Sequence, residues 1–235
     1  MINDKLLSEF SDCFYGYGNY NSPYWFLGME EGGGNSVEEL NRRFYVWEMR
    51  GKRELEDVAE YHIAINIPGL FSERPKLQNT WSKQIRVILG MTSQKNDTEI
   101  VRYYQRDLWG RASSENCVLD LFPLPSPRMT HWIYGAKSRL ENLKNRDTYR
   151  ESYSSKRIIH IKNRVKEFSP KVVIMFGLSY INYWKALAGE DFSEIHQISQ
   201  LKFEKTRFVI LKHPASRGIN NEYFYNAGRV IADII

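Results

Sequence analysis

Tyr24-Trp25-Phe26-Leu27-Gly28-Met29-Glu30-Glu31-Gly32-Gly33-Gly34-Asn35-Ser36 is the stretch that decides the fold. Tyr24–Leu27 is apolar without alternation, and a glycine-rich turn closes it. A short run of this kind reads as a strand buried on both faces. Ser36 then opens a helix. Its hydroxyl accepts from a first-turn N–H, and Glu39, three residues on, completes a capping box. Val37, Leu40, Phe44 and Trp47 fall on one face at helical spacing. Strand, glycine turn and capped helix form a unit of a layered α/β domain.

Outward from this unit, three more apolar runs read as buried strands: Cys117–Leu121, Val172–Phe176 and Phe208–Leu211. Leu201–Glu204 reads as an extra strand, paired with Phe208–Leu211 through a Lys205–Thr206 turn. Ile158, Ile161, Val165 and Phe168 mark a long helix from near Asp147, with Pro170 just past its end. Tyr223, Ala227, Val230, Ile231 and Ile234 mark a C-terminal helix. The chain shows no repeat, no low-complexity tract and no linker; Gln94–Asp97 and Asn142–Asp147 are polar turns. The expectation is one domain over 1–235, a three-layer αβα sandwich around a four-stranded, mostly parallel sheet.

Composition narrows the chemistry. Cys13 and Cys117 are the only cysteines among 235 residues, which excludes a disulfide framework and any four-cysteine zinc or iron–sulfur site. No cofactor and no metal are expected, and the reducing cytoplasm is the expected setting. No apolar run approaches the roughly 20 residues of a membrane span, and the polar start MINDKLLSEF lacks a leader's apolar core. No membrane partner is expected, and a monomer is. The net charge of +5 and pI near 9.0 suit a polyanionic partner as well as a plain basic surface. The 14% aromatic content suits base stacking as well as an aromatic core.

In sheets of this kind ligands bind beyond the carboxyl ends of the strands. After the first strand come Gly28, Met29, the adjacent carboxylates Glu30 and Glu31, and Gly32-Gly33-Gly34. No Gly-Lys-Ser/Thr follows, so this is not a P-loop. A glycine loop before a helix start favours anions, and a carboxylate there can act as a base or face a cation. Read alone, the run also suits a surface turn. Asp120 closes the second strand before Phe122-Pro123-Leu124-Pro125, where it can read hydrogen-bond donors or cap a turn. Gly177-Leu178-Ser179 reads as a helix-entry turn. His213-Pro214-Ala215-Ser216-Arg217 follows the fourth strand, and a neutral histidine there can donate to developing negative charge.

Taken in order, these segments resemble the uracil-DNA glycosylase superfamily. Tyr24 to Gly34 is similar to its first motif, which reads Gly-Met/Ile-Asn-Pro-Gly in the single-strand-selective and mismatch-specific families. In the prototype family it reads Gly-Gln-Asp-Pro-Tyr-His. Glu30 stands where the family has its catalytic Asn or Asp, and Glu31 replaces the family's Pro. Gly69 to Trp81 is similar to the prototype's Phe-Ser and Pro-rich segment, and Phe71 matches the residue that stacks on the flipped base. Asp120-Leu121-Phe122-Pro123-Leu124 resembles Asn-x-Cys-Pro-Leu, whose Asn reads the uracil edge. His213-Pro214-Ala215-Ser216-Arg217 resembles His-Pro-Ser-Pro and the wedge residue after it. Lys156-Arg157-Ile158-Ile159-His160 is superficially similar to a Lys-Arg-Arg-Ile-His loop of a covalently trapping family. Its helical periodicity makes His160 a helix residue instead.

The resemblance spans roughly residues 20–235 and implies base flipping and hydrolysis of an N-glycosidic bond. It implies Glu30, with Glu31 as second choice, at the sugar cation, and His213 on the departing base. Met29 would form the back wall, Phe71 the stacking surface and Asp120 the edge reader. DNA phosphates would lie along Gly28, Gly32, Gly33 and Gly34 and along Ser216 and Arg217, with Arg217 and Ile219 filling the gap in the duplex. An ionised Asp only accepts hydrogen bonds, whereas uracil also presents O4. So Asp120 is protonated, or points elsewhere, or the base is not uracil. Loss of the motif's Pro and Asn leaves two other readings open: a nucleic-acid-binding module of the same fold, and an enzyme on a small nucleotide-like ligand.

Overall fold

Backbone pairing gathers the apolar runs into one mixed sheet in the computed structural model, which describes residues 1–196 and 198–235. Helix α1 (Asp4–Cys13) starts at Asn3, whose side chain accepts from Leu6 N–H. Strands β1 (Gly16–Tyr17) and β2 (Tyr24–Glu30) follow. Helix α2 (Val37–Met49) begins as the capping pattern predicts, with Glu39 N–H donating to Ser36 Oγ. Then come β3 (Leu55–Glu56), α3 (Val58–Ala64), α4 (Asn79–Met91) and α5 (Thr98–Asp107). Strand β4 (Asn116–Phe122) leads through the short α6 (Tyr134–Lys137) to the long α7 (Arg146–Phe168). Helix α7 ends on Ser169 in the left-handed region, just before Pro170, and includes His160. The chain closes with β5 (Val172–Phe176), α8 (Ile181–Ala188), β6 (Ser193–Ile195), β7 (Ile198–Phe203), β8 (Thr206–Leu211) and α9 (Asn221–Ala232).

The sheet order is β3-β1-β4-β2-β5-β8-β7-β6. The four strands read from apolar runs are adjacent, and β4-β2-β5-β8 are mutually parallel. The expected four-stranded sheet is nonetheless corrected to an eight-stranded mixed one. Strand β1 runs antiparallel to β4, β3 parallel to β1, and β6 and β7 add antiparallel pairs at the other edge. Two- and three-residue edge strands are too short to carry a hydrophobic period, so nothing in their sequence marks them. The extra strand before β8 starts at Ile198 rather than Leu201. Its hairpin turns at Glu204–Lys205, since Phe203 pairs with Thr206 and Glu204 has φ 52.

Both faces of the sheet are covered. Trp25 packs against Tyr20, which stacks on Phe168 of α7, while Phe26 packs against Trp109 and Phe176. Successive strand residues point to opposite faces, so β2 needs apolar side chains at every interior position. No described helix is long and apolar enough to cross a membrane.

One helix pair bears on the site. Helices α4 and α9 meet at Gly90 and Gly228, where a Cβ on Gly228 would stand 2.1 Å from Val87 O and one on Gly90 2.1 Å from Tyr225 O. Only glycine permits backbones this close. Gly228→Ala must push the helices apart, and overpacking of this kind costs about 1–3 kcal/mol or more. At roughly 2–4 °C per kcal/mol for a chain of this size, Tm should fall by several degrees in a thermal melt. An unchanged Tm would mean the two helices are not in backbone contact.

Candidate functional site

The parallel order turns back at β2, which has β4 on one side and β5 on the other. A reversal of this kind opens a crevice at the carboxyl ends of the strands. A cavity of about 770 Å³ lies there. Gly28, Met29, Glu30, Glu31, Gly32, Gly33, Asp120 and His213 line it; Gly34, Phe71, Ser216 and Arg217 do not. Strand β2 runs further than its apolar core suggests, because Gly28 pairs with Asp120 and Glu30 with Phe122. A Cβ on Gly28 would stand 2.7 Å from Asp120 Oδ1, so the missing side chain makes room for that carboxyl.

Glu31 is fixed from three directions. It accepts from Tyr17 Oη at 2.9 Å and from Arg43 Nη1 at 3.2 Å, and His62 Nε2 stands 3.3 Å from its Oε1. His62 Nδ1 lies 2.7 Å from Val58 O, which makes Nδ1 the protonated nitrogen. Burial pushes the Glu31 carboxyl up, but Arg43, His62 and Tyr17 outweigh it and hold it at about 2. Glu31 is therefore an anion at every working pH.

Asp120 is the opposite case. Burial first, and the Glu31 anion second, push its carboxyl up to about 7, only partly offset by Arg157. The strand end that carries it is held by the fully buried Arg157. That guanidinium donates to Leu121 O, to Asp120 O at 3.0 Å and to Ser11 O at 3.3 Å, and lies 3.8 Å from the Tyr15 ring centroid. The cavity thus holds one carboxyl that is always ionised and one that is protonated below neutrality. Such divergence is the usual mark of separate acid and base roles.

His213 follows β8 as expected. Its Nδ1 accepts from Ala215 N–H at 3.1 Å, which leaves the proton on Nε2. Burial, and then Lys83, lower its pKa, so the ring is neutral at pH 7. A neutral ring with Nε2–H free is a hydrogen-bond donor for negative charge.

Glu30 also lines the cavity, but it is bound to two cations. Arg146 Nη1 pairs with its Oε2, and Arg150 Nη2 donates to its Oε1 at 2.9 Å. Around Glu31 the balance is reversed, because the single guanidinium of Arg43 is shared between Glu31 and Glu39. Two carboxylates, Glu31 and Glu39, thus share one guanidinium, whereas two guanidiniums meet the single carboxylate of Glu30.

The remaining expected residues sit around this centre. Gly33 and Gly34 adopt φ 113 and 72, which favour glycine. The Gly34 and Asn35 N–H groups donate to the Glu39 carboxylate at 2.8 and 2.9 Å, so the anion position at the start of α2 is filled from within the chain. Phe71 packs behind the cavity against His62 and Trp81, at centroid distances of 5.7 and 6.0 Å, and the aromatics at the wall are Tyr17, Trp81 and Phe176. Ser216 and Arg217 are exposed on the loop that follows Pro214, where the cavity ends.

Several lining or supporting residues escaped the sequence reading. Trp81 and Gln84 lie one turn apart on α4, and His62 lies on the seven-residue α3. Arg146 and Arg150 are four residues apart on α7, a spacing that puts both on one face. That spacing was the one local signal available. Among the described residues no cluster of three or more His, Cys, Asp or Glu has a metal-binding arrangement. No protein-family model matches the chain, and no curated protein matches it.

Proposed function

We propose that the chain flips a base out of DNA into this cavity and hydrolyses its N-glycosidic bond. The observation that carries this is the meeting of Glu31, Asp120 and His213 in one crevice at the carboxyl ends of β2, β4 and β8. In the reaction the base departs with the electron pair of the C1′–N bond, and the sugar becomes an oxocarbenium ion. Glu31 faces that cation as a fixed anion. Water then bonds to C1′, and the proton it loses ends on the departing base, so that the products are the abasic sugar and the neutral free base. His213 Nε2–H supports the negative charge on the departing base. Protonated Asp120 offers an O–H donor beside a C=O acceptor, the same pair as an amide, and complements a ring N–H beside a carbonyl. This form removes the conflict between a carboxylate and the O4 of a uracil-like edge.

DNA as the substrate is supported by charge. Arg42 is exposed at the cavity rim, Lys83 contacts Pro214 O beside it, and the chain carries +5 overall. Glu30 becomes a structural ion-pair partner in this account, and Phe71 a support for Trp81.

The test is cleavage of single- and double-stranded oligonucleotides, each carrying one uracil, hypoxanthine, oxidised or alkylated base. Product is read as alkali-labile strand breaks. The expected result is cleavage of at least one substrate, reduced about a hundredfold or more by His213→Ala. Tight, salt-sensitive binding with no break in any substrate would make the chain a binding module instead.

A further inference from the structure

A basic surface lies at the other end of the sheet. Two cavities there, of about 460 and 260 Å³, share Lys202 and Arg207 in their walls. Lys162 and Lys166 of α7 line the larger, and Lys171 and Lys205 line the smaller. Lys171 precedes β5 and Lys205 precedes β8, so the cations gather at the amino ends of the parallel strands. The cavity of Glu31, Asp120 and His213 lies at the carboxyl ends. The five residues of β5, at roughly 3.3 Å each, keep the two regions apart.

Little within the chain answers this charge. None of the six cations forms an ion pair among the described residues. Of the carboxylates close to them in sequence or space, Glu167 pairs with Arg164 at 2.8 Å and Glu190 with Lys185 at 3.1 Å. Asp191 lines the larger cavity, and no carboxylate side chain lines the smaller. Lys202 stands directly across from Arg207 in the β7–β8 pair. Like charges in that position destabilise a sheet, and a bound anion would offset the repulsion. Arg207 is held in place for such a role: Nε and Nη2 donate to Ile234 O at 3.0 and 2.7 Å, and Nη1 to Gln200 Oε1 at 2.5 Å.

Phe203 decides which kind of anion. It follows Lys202 on β7, lines the larger cavity and is 40% exposed. Cations beside an exposed ring suit single-stranded nucleic acid, whose phosphates meet the charges while an unpaired base stacks on the ring. A duplex hides its base faces, and an acidic polypeptide would use the charges without the ring.

We infer that this surface is a binding site for single-stranded nucleic acid, with phosphates on Lys202, Lys205 and Arg207 and a base stacked on Phe203. It is separate from the cavity at the carboxyl ends and does not depend on what that cavity does.

The test is fluorescence anisotropy of the full chain with a labelled oligothymidylate of about twelve nucleotides, and with oligouridylate of that length as the RNA arm. The variants are Lys202→Glu with Lys205→Glu, and Phe203→Ala. Lys95→Glu with Lys137→Glu, two exposed lysines away from both cavities, is the control of equal net charge. For at least one of the two strands, the patch pair should weaken binding about tenfold or more and the control pair less than threefold. The slope of log affinity against log salt should fall by about 1 to 2 in the patch pair. Its Tm should hold or rise, since Glu at position 202 would face Arg207. Phe203→Ala should cost about fivefold or more with the salt slope unchanged. Equal losses in the patch and control pairs, or no detectable binding of either strand by the wild type, overturn the inference. Full affinity in Phe203→Ala, or displacement of the strand by polyglutamate as readily as by unlabelled oligonucleotide, would make the surface a site for acidic polypeptide and also overturn it.

Discussion

Glu31→Gln should reduce base excision by about a thousandfold while leaving oligonucleotide binding within a few-fold of the wild type. Gln preserves the shape, and its one carbonyl oxygen can still accept from Arg43 while its NH2 donates to Tyr17 Oη, but it carries no charge to set against the sugar cation. The contrast with Glu30→Gln is the informative part. Two guanidiniums already neutralise Glu30, so its loss should cost catalysis less than tenfold. Single-turnover rates for both variants, measured well below their Tm, separate the two carboxylates. Equal losses would return the sugar-facing role to Glu30. Stability should respond as well. The Glu31 carboxyl is depressed from 4.5 to about 2 on folding, so its contribution is present above pH 4.5 and is lost as pH falls from there towards 2. On the order of 3 kcal/mol is at stake at neutral pH, and Glu31→Gln should lower Tm there and progressively less below pH 4.

Asp120→Asn should do the opposite to stability. The Asp120 carboxyl is raised from 3.8 to about 7 on folding, so between those values the folded chain holds a proton that the unfolded chain has released. Stability therefore falls as pH rises through that window and levels off above 7. Asn has no proton to lose, so the variant should gain about 2–4 kcal/mol at pH 7 and nothing at pH 3. Its activity carries a second signature. Wild-type excision of a lactam base should decline above pH 7 as Asp120 ionises, whereas Asp120→Asn keeps a donor and an acceptor at every pH and should lack that decline. Melting curves and rates from pH 3 to 9 check both. Parallel pH profiles for the two proteins would mean that Asp120 neither titrates near neutrality nor faces the base.

The parts of the molecule legible in the sequence are those whose signal is local. Tyr24–Leu27 and Val172–Phe176 announce buried strands because a strand covered on both faces has no polar side. Ser36 announces α2 because a cap acts within one turn. The order of the strand-end residues was enough to assemble Glu31, Asp120 and His213, since a parallel sheet brings every such end to one edge. What escaped is non-local. Nothing in Glu30-Glu31 tells which carboxylate meets arginines 116 and 120 residues further along the chain and which shares Arg43. Phe71 was a reasonable stacking residue by resemblance, but it follows the short turn Pro68–Leu70, whose Leu70 reaches the cavity while the Phe71 ring packs against His62 and Trp81. Strands β1 and β3 hold only two residues each and exist because the edge of β4 offers them partners.

The most direct test of the account is mass-spectrometric detection of the free base released from duplex oligonucleotides that carry one hypoxanthine or one uracil. Enzyme is in excess, and the Glu31→Gln protein serves as control. One equivalent of free base and an abasic strand are expected from the wild type, and almost none from the variant over the same interval. Intact oligonucleotide bound by the wild type with no base released, or equal release by both proteins, would contradict it.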